Sequence, residues 1–222
     1  YEAAGFAFLN STGDPGLARL FGPGVFGLFA YSAGDLIGAS RVFSDDLTTT
    51  WLAEICVAPS WRRYGVGRAL LEGIDSRFGD TALYCDGLTE TVDFFQAVGV
   101  RPKRKLIDCR RFPGGAKAEM EDIPGIVVHD DASRYGSSGF EEVAEAVGFG
   151  ISERGMPRDV LYRKLFGDGV FGAFAESQEC EPVGFVRAFS DGLTKSYVAE
   201  ICVHPQWQRK GIGRALVDRM VH

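Results

Sequence analysis

Two six-residue stretches have the make-up of an anion cradle. Arg62-Arg63-Tyr64-Gly65-Val66-Gly67 and Gln208-Arg209-Lys210-Gly211-Ile212-Gly213 both fit the pattern Gln/Arg-x-x-Gly-x-Gly/Ala. Each follows a strand-like run closed by Val-x-Pro and opens directly into a helical pattern. Backbone N–H groups at a helix N-terminus lack intrahelical partners and sit at the positive end of the dipole, and glycine lets a pyrophosphate come close to the chain. The spacing excludes two other phosphate loops, because neither Gly-x-Gly-x-x-Gly nor Gly-Lys-Ser/Thr is present. A plain helix cap would account for one such loop, but not for strand, Val-x-Pro, loop and helix recurring together. Just upstream, Glu54 and Glu200 each stand inside an apolar strand run. Burial would raise their proton affinity towards a value useful to a general base. The alternative is that each faces solvent or pairs with an arginine such as Arg41 or Arg187, and the sequence leaves both readings open.

The recurrence is a duplication. Ser44-Asp45-Asp46-Leu47-Thr48 is echoed by Ser190-Asp191-Gly192-Leu193-Thr194, an offset of 146 (190 − 44). At the same offset Ala53-Glu54-Ile55-Cys56-Val57 returns as Ala199-Glu200-Ile201-Cys202-Val203, and Pro59, Trp61, Gly65, Gly67 and Arg68 return as Pro205, Trp207, Gly211, Gly213 and Arg214. Gly24-Val25-Phe26-Gly27 matches Gly169-Val170-Phe171-Gly172 one residue out of step, which places a single insertion in a hairpin turn of the second copy.

The elements that must hold these residues follow from periodicity. Alternating apolar residues predict strands over Val25–Tyr31 and Leu36–Phe43 around a Gly34-Asp35 turn, with a third over Thr50–Val57. A helix from Val66 presents Ala69, Leu70, Ile74 and Phe78 and stops at Gly79, and its counterpart starts at Ile212. A strand over Thr81–Cys85, a helix over Thr91–Val98 and a strand pair around Lys105–Phe112 complete the first copy. In the second, a strand over Ile126–His129 precedes helices near Gly139–Val147 and Pro157–Phe166. These patterns divide the chain into a first domain over 1–112, a Gly/Pro-bounded linker over 113–124 and a second domain over 125–222. The chain starts at Tyr1, so its natural start is expected upstream; an opening strand of the first copy and the last strands and helix of the second are expected beyond these ends, as in a fragment of a longer tandem protein.

Composition narrows the partners. With 45% hydrophobic and 24% charged residues, the chain can build a core. A formal charge of −6 offers no general attraction to nucleic acid or an anionic membrane. The one basic run, Arg101 to Arg111, reads as a solvated edge strand. Five cysteines without a Cys-x-x-Cys pair, and only three histidines, argue against a disulfide framework or a metal site and for reduced thiols in a cytoplasm. No run reaches the roughly 20 apolar residues of a membrane helix.

The segment from Glu54 through Leu70, and its second copy, resemble the acetyl-CoA motif of the GNAT superfamily of N-acetyltransferases. Thr91 to Val100 is similar to that superfamily's later helix. The Ser-Asp opening of the third strand, the acidic residue before Ile-Cys-Val and the Val-Asp-Phe-Phe helix are most similar to small-amine members, including a serotonin-acetyltransferase-like group. The resemblance implies two tandem α/β (α+β) domains, each a mixed, largely antiparallel sheet flanked by helices, with acetyl-CoA as co-substrate.

It implies further that the cofactor lies beside the third strand. Its pantetheine would pair with backbone near Cys56 and Val57, or Cys202 and Val203. Its pyrophosphate would sit on the loops formed by Arg62, Arg63, Gly65, Val66, Gly67 and Arg68, and by Gln208, Arg209, Lys210, Gly211, Ile212, Gly213 and Arg214. The implied reaction is direct attack of a primary amine, of a small molecule, on the thioester. Glu54 and Glu200 are then the candidate catalytic carboxylates, and Asp45, Asp46 and Asp191 are placed to attract a cationic amine. One departure stands out: the hydroxyl that commonly protonates the departing CoA thiolate corresponds to Phe95. That leaves an unprotonated thiolate, another donor such as Tyr84, or a copy that binds acyl-CoA without turnover. A protein N-terminus or lysine is the remaining alternative acceptor. Cys56 and Cys202 have no nearby histidine to activate them and are expected to be packing residues, as are Trp61 and Trp207.

Overall fold

The computed structural model describes residues 20–103, 122–149 and 155–220. The chain separates into two compact units, Tyr1–Gly115 with Asp191–Lys195, and Ala116–Ser190 with Ser196–His222. The Lys105–Phe112 strand pair, and the interdomain linker up to residue 121, fall outside the described residues.

In the first unit, strands β1 (Val25–Ser32), β2 (Asp35–Ser44), β3 (Thr49–Val57) and β4 (Ala82–Cys85) lie in that order in one sheet. The first three are antiparallel neighbours, and β4 pairs parallel to β3. The β1–β2 turn falls on Ala33 and Gly34, both with positive φ (50° and 89°), the geometry of a two-residue hairpin that glycine accommodates without strain. Helix α1 (Val66–Phe78) buries Leu70, Leu71, Ile74 and Phe78. Leu71 therefore takes the place expected of Ala69, which is exposed. Leu71, Ile74 and Phe78 join Val42, Leu52 and Phe95 in one core cluster, the last carried by the short helix α2 (Val92–Ala97).

The second unit repeats the plan and adds its front. Strands β5 (Ile126–His129), β6 (Val170–Ser177), β7 (Pro182–Ser190) and β8 (Ser196–Val203) form an antiparallel sheet in chain order. Helix α3 (Ala132–Ala146) begins seven residues before the expected Gly139, because Asp131 caps it by accepting from the N–H groups of Ser133 and Arg134. Gly136, at φ 74°, breaks its regularity, which is why the periodicity only becomes legible beyond it. Helix α4 (Arg158–Leu165) is entered from Pro157, and Phe140 links it to the sheet through ring contacts with Tyr162, Phe166 and Phe185. Helix α5 (Ile212–Met220) sets Ile212 and Leu216 against Ala173, Ala175 and Val186. No described helix is long and apolar enough to cross a membrane.

Candidate functional site

The site begins as a fault in strand pairing. Opposite β2, the register of β3 shifts between Arg41 and Val42, so that Arg41 faces Glu54, Val42 faces Leu52 and Ala53 is the extra residue of a bulge. On the other edge, β4 follows β3 only over Thr49–Leu52, partnered by Ala82–Cys85. A bulge bends its strand and sharpens the twist, and here parallel pairing ends where the bulge occurs. Ala53 to Val57 therefore continue without a β4 partner, along an edge that includes Cys56 and Val57 and is open among the described residues except where the Ala53 carbonyl accepts from Lys195. In the second unit, β8 carries the same bulge: Arg187 faces Glu200, Ala188 faces Val198, and Ala199 is the extra residue.

Past the open edge the chain makes one turn of 3-10 helix, Pro59–Trp61, then the glycine loop. Arg63 and Gly65 adopt left-handed backbone (φ 67° and 85°), as do Arg209 and Gly211 (φ 62° and 84°), so the two loops share one conformation. Gly65 is the N-cap of α1, no side chain caps that end and no acidic residue lies in its first turn. The first helical bonds run from Ala69 N–H to Gly65 C=O at 2.9 Å and from Ala215 N–H to Gly211 C=O at 3.0 Å. Among the described residues, the N–H groups of Val66, Gly67 and Arg68, and of Ile212, Gly213 and Arg214, have no backbone acceptor. Three unpaired donors at a positive dipole end are what a phosphate requires. At Gly67 a Cβ would stand 3.2 Å from the Phe94 ring, so glycine gives close packing against α2 and a larger residue asks the ring to shift slightly.

The side chains that open each motif hold the loop. Arg62 Nε donates to the carbonyl of Val57 at 3.4 Å, and Gln208 Nε2 donates to that of Val203 at 3.0 Å. Arg68 pairs with Glu72 on the exposed face of α1, Arg214 lies 3.5 Å from Asp218, and Lys210 stacks over Trp207 at 4.4 Å. Trp207 packs against the α5 core, as expected.

Glu54 and Glu200 occupy equivalent places, and both are ion-paired. Arg41 donates to Glu54 from Nε (2.5 Å) and Nη2 (2.8 Å). Arg187 grips Glu200 in the same two-pronged way at 2.5 and 2.7 Å. The two arginines are 0% and 1% exposed. Within the first unit, Lys195 Nζ lies 3.0 Å from Glu54 Oε1 and donates to the bulge carbonyl of Ala53 at 2.7 Å, while Asp191 accepts from Arg41 Nη1.

Two of the acidic residues expected to draw in an amine are committed elsewhere. Asp45 Oδ1 accepts from the N–H groups of Leu47, Thr48 and Thr49, and Asp191 Oδ1 from those of Leu193, Thr194 and Lys195. These carboxylates fold their own loops. Asp46 lies 3.6 Å from Arg77. Phe95 is 8% exposed and sits in the core, whereas Tyr84, on β4 opposite Trp51 of β3, is exposed. Cys56 and Cys202 are buried free thiols; burial pushes Cys202 up to about 11, with Glu200 adding to it, and raises Cys56 as well. Neither has thiolate character at neutral pH, which agrees with a packing role.

Sequence reasoning missed the bulge and the carbonyl contacts of Arg62 and Gln208. The pairing of each glutamate with Arg41 or Arg187 was one of the two readings left open there, and it is the one the structure shows.

No curated protein matches the chain in sequence. Among solved structures, a tandem GNAT protein from the clavulanic acid biosynthesis pathway is 18% identical, over 91% of this chain and 71% of its own, with a TM-score of 0.46. The aminoglycoside N-acetyltransferase AAC(6')-Iy, solved with CoA, is 20% identical over 40% of this chain and 77% of its own, with a TM-score of 0.35. The chain spans 60% of a protein from Deinococcus radiodurans R1 described as an acetyltransferase, at 21% identity over 38% of this chain and a TM-score of 0.35. The acetyltransferase (GNAT) domain matches residues 25–101 and 168–222, more than half of the sequence and both of its repeats, and the chain therefore belongs to the GNAT acetyltransferase family.

Proposed function

We propose that the chain transfers an acetyl group from acetyl-CoA to a primary amine of a small molecule, by direct attack in a ternary complex, in a reducing cytoplasmic setting. The observation that carries this reading is the continuity of an open strand edge, Ala53–Val57, with an uncapped helix N-terminus at Val66, and the repetition of bulge, loop and helix in β8 and α5.

The residues fit the co-substrate. The N–H groups of Val66, Gly67 and Arg68, and of Ile212, Gly213 and Arg214, would hold the pyrophosphate, with Arg62 and Gln208 fixing the loops. Backbone of Cys56 and Val57, or Cys202 and Val203, would pair with the pantetheine amides. Acetyl-CoA supplies the thioester that the amine attacks. Glu54 and Glu200 are held beside the bulge as carboxylates of fixed orientation; Glu200, with its side chain 21% exposed, is the more open to an amine, whereas that of Glu54 is 1% exposed and held by both Arg41 and Lys195. Each carboxylate oxygen keeps a further lone pair beside its guanidinium hydrogen bond, so the amine proton can pass to it directly or through one water.

A second reading rests on Phe95, whose burial in the core leaves no hydroxyl at the position that resembles the family's proton donor. On that reading the first copy binds acyl-CoA without turnover. The test is thiol release and product mass with acetyl-CoA and a panel of arylalkylamines, polyamines, an aminoglycoside and lysine- or N-terminus-bearing peptides. A small primary amine should be acetylated at least about tenfold faster than any peptide. Preference for a peptide would move the acceptor class to proteins, and cofactor binding without acetylation of any amine would favour the sensor reading.

A further inference from the structure

Arg41 and Arg187 each do more than neutralise a glutamate. Besides the two-pronged grip, Arg41 Nη1 donates to the carbonyl of Leu20 at 3.3 Å, and Arg187 Nη1 donates to that of Leu165, the last residue of α4, at 3.4 Å. Each guanidinium also lies over the aromatic ring two residues on, Phe43 at 5.5 Å and Phe189 at 5.6 Å. Both arginines therefore join the same three things: a strand ring, the carbonyl ahead of the first long hairpin, and the carboxylate beside the bulge. Taking such a side chain out of water is unfavourable unless its donors are satisfied. That the arrangement occurs in two copies whose surrounding residues have diverged argues that it is retained for the site.

We propose that Arg41 and Arg187 are positioning residues for acetyl transfer, each fixing the orientation and charge of the glutamate opposite it at the bulge where the strand edge opens. The inference rests on the acetyltransferase reading. Its physical content is that a planar guanidinium offers two parallel donors, which a lysine ammonium cannot reproduce. Among the described residues, the charged and titratable groups around Glu54 include Arg41, Lys195, Cys56 and, through Arg41, Asp191; those around Glu200 include Arg187 and Cys202.

The test uses the whole chain carrying Arg187→Lys, Arg187→Met, Glu200→Gln and the Arg187→Met/Glu200→Gln pair, with the same set at Arg41 and Glu54. Acetyl-CoA affinity is measured by calorimetry, kcat and KM with an amine acetylated in the panel above, and the glutamate carboxylates are followed by 13C NMR. The Arg187→Met/Glu200→Gln pair retains neither charge of that ion pair, so it stays foldable where Arg187→Met alone fails by leaving a buried carboxylate unpaired; at Arg41, whose removal also strips Asp191 of its guanidinium, Arg41→Lys carries the comparison.

In the working copy, acetyl-CoA affinity should stay within about twofold while Arg→Lys lowers kcat about tenfold or more and displaces the 13C resonance of the paired glutamate carboxylate. Adding Arg→Met to Glu→Gln should change kcat by less than about threefold, because the arginine acts through the carboxylate. Losses that multiply, or a carboxylate resonance indifferent to the arginine, overturn the proposal. The NMR arm reads the clamp with no acceptor present, so a failed clamp and a failed acetyltransferase reading give different results.

Discussion

Gly38 and Gly184 are equivalent residues at the start of β2 and β7, and the structure assigns them unequal tolerance of a methyl group. A Cβ on Gly184 would lie 2.8 Å from the carbonyl oxygen of Cys202, 3.3 Å from Leu216 Cδ1 and 3.4 Å from Val203 Cα. A Cβ on Gly38 would lie 2.8 Å from Val66 Cγ1, with the Cys56 carbonyl oxygen at 3.3 Å. The close neighbour is a side-chain methyl in one case and main chain in the other. Neither position has positive φ, so alanine also removes about 0.4–1 kcal/mol of unfolded-chain freedom in favour of the fold. Overpacking against backbone costs about 1–3 kcal/mol. Gly184→Ala should therefore destabilise its unit by about 1–2 kcal/mol, a fall of roughly 4–12 °C for a unit near 100 residues. Gly38→Ala should stay within about 1 kcal/mol of neutral, since the methyl shifts more cheaply than the strand. Calorimetry gives the midpoints, and amide exchange over β2–β3 and β7–β8 reports each unit separately. Because the displaced backbone is the Cys202–Val203 edge, Gly184→Ala should also weaken acetyl-CoA binding in the second copy. Equal shifts for the two variants, or a stabilised Gly184→Ala, would refute the reasoning.

Three further outcomes follow from the same geometry. Gln208→Ala and Arg62→Ala each remove one hydrogen bond to the carbonyl that precedes the loop, so acetyl-CoA affinity should fall about 2–10-fold with little change in melting temperature. Iodoacetamide at pH 8 should label exposed Cys180 well before Cys202, whose thiol at about 11 is ionised in only about one molecule per thousand, with Cys202 labelling rising as pH climbs; mass spectrometry of tryptic peptides reads both. Burial alone would raise Asp191, but hydrogen bonds from Thr194, Arg41 and the loop N–H groups outweigh it and hold the carboxyl well below its ordinary range. Its contribution to stability is thus complete above the unfolded value near 4 and is lost as pH falls below that, so Asp191→Asn should flatten the pH dependence of unfolding between about pH 5 and 2.

Much of the architecture was legible because it is written twice. Hairpin strands, the Val66 and Ile212 helices and the glycine loops obey local rules of alternation, helical spacing and left-handed glycine, and the offset of 146 made each copy a check on the other. What was not legible depends on pairing across strands. The bulges at Ala53 and Ala199 arise from register between β2 and β3 or β7 and β8, and no property of alanine announces them. Whether Glu54 was a solvated, paired or poised carboxylate likewise turned on Arg41, thirteen residues away along the chain and directly opposite only after the hairpin forms. Helix α3 began early because a capping aspartate and a kinked glycine interrupt the apolar spacing that periodicity relies on.

The most direct measurement is calorimetric titration of the chain with acetyl-CoA, alongside Gly67→Glu and Gly213→Glu. At Gly213 the nearest atoms to a new Cβ are 3.8 Å away, so the added carboxylate fits the fold and acts on the anion site by charge; at Gly67 the Phe94 ring must give by a few tenths of an ångström. The account predicts two sites in the parent and the loss of one in each variant. Absence of acetyl-CoA binding by the parent, or binding untouched by a carboxylate in either loop, would contradict it.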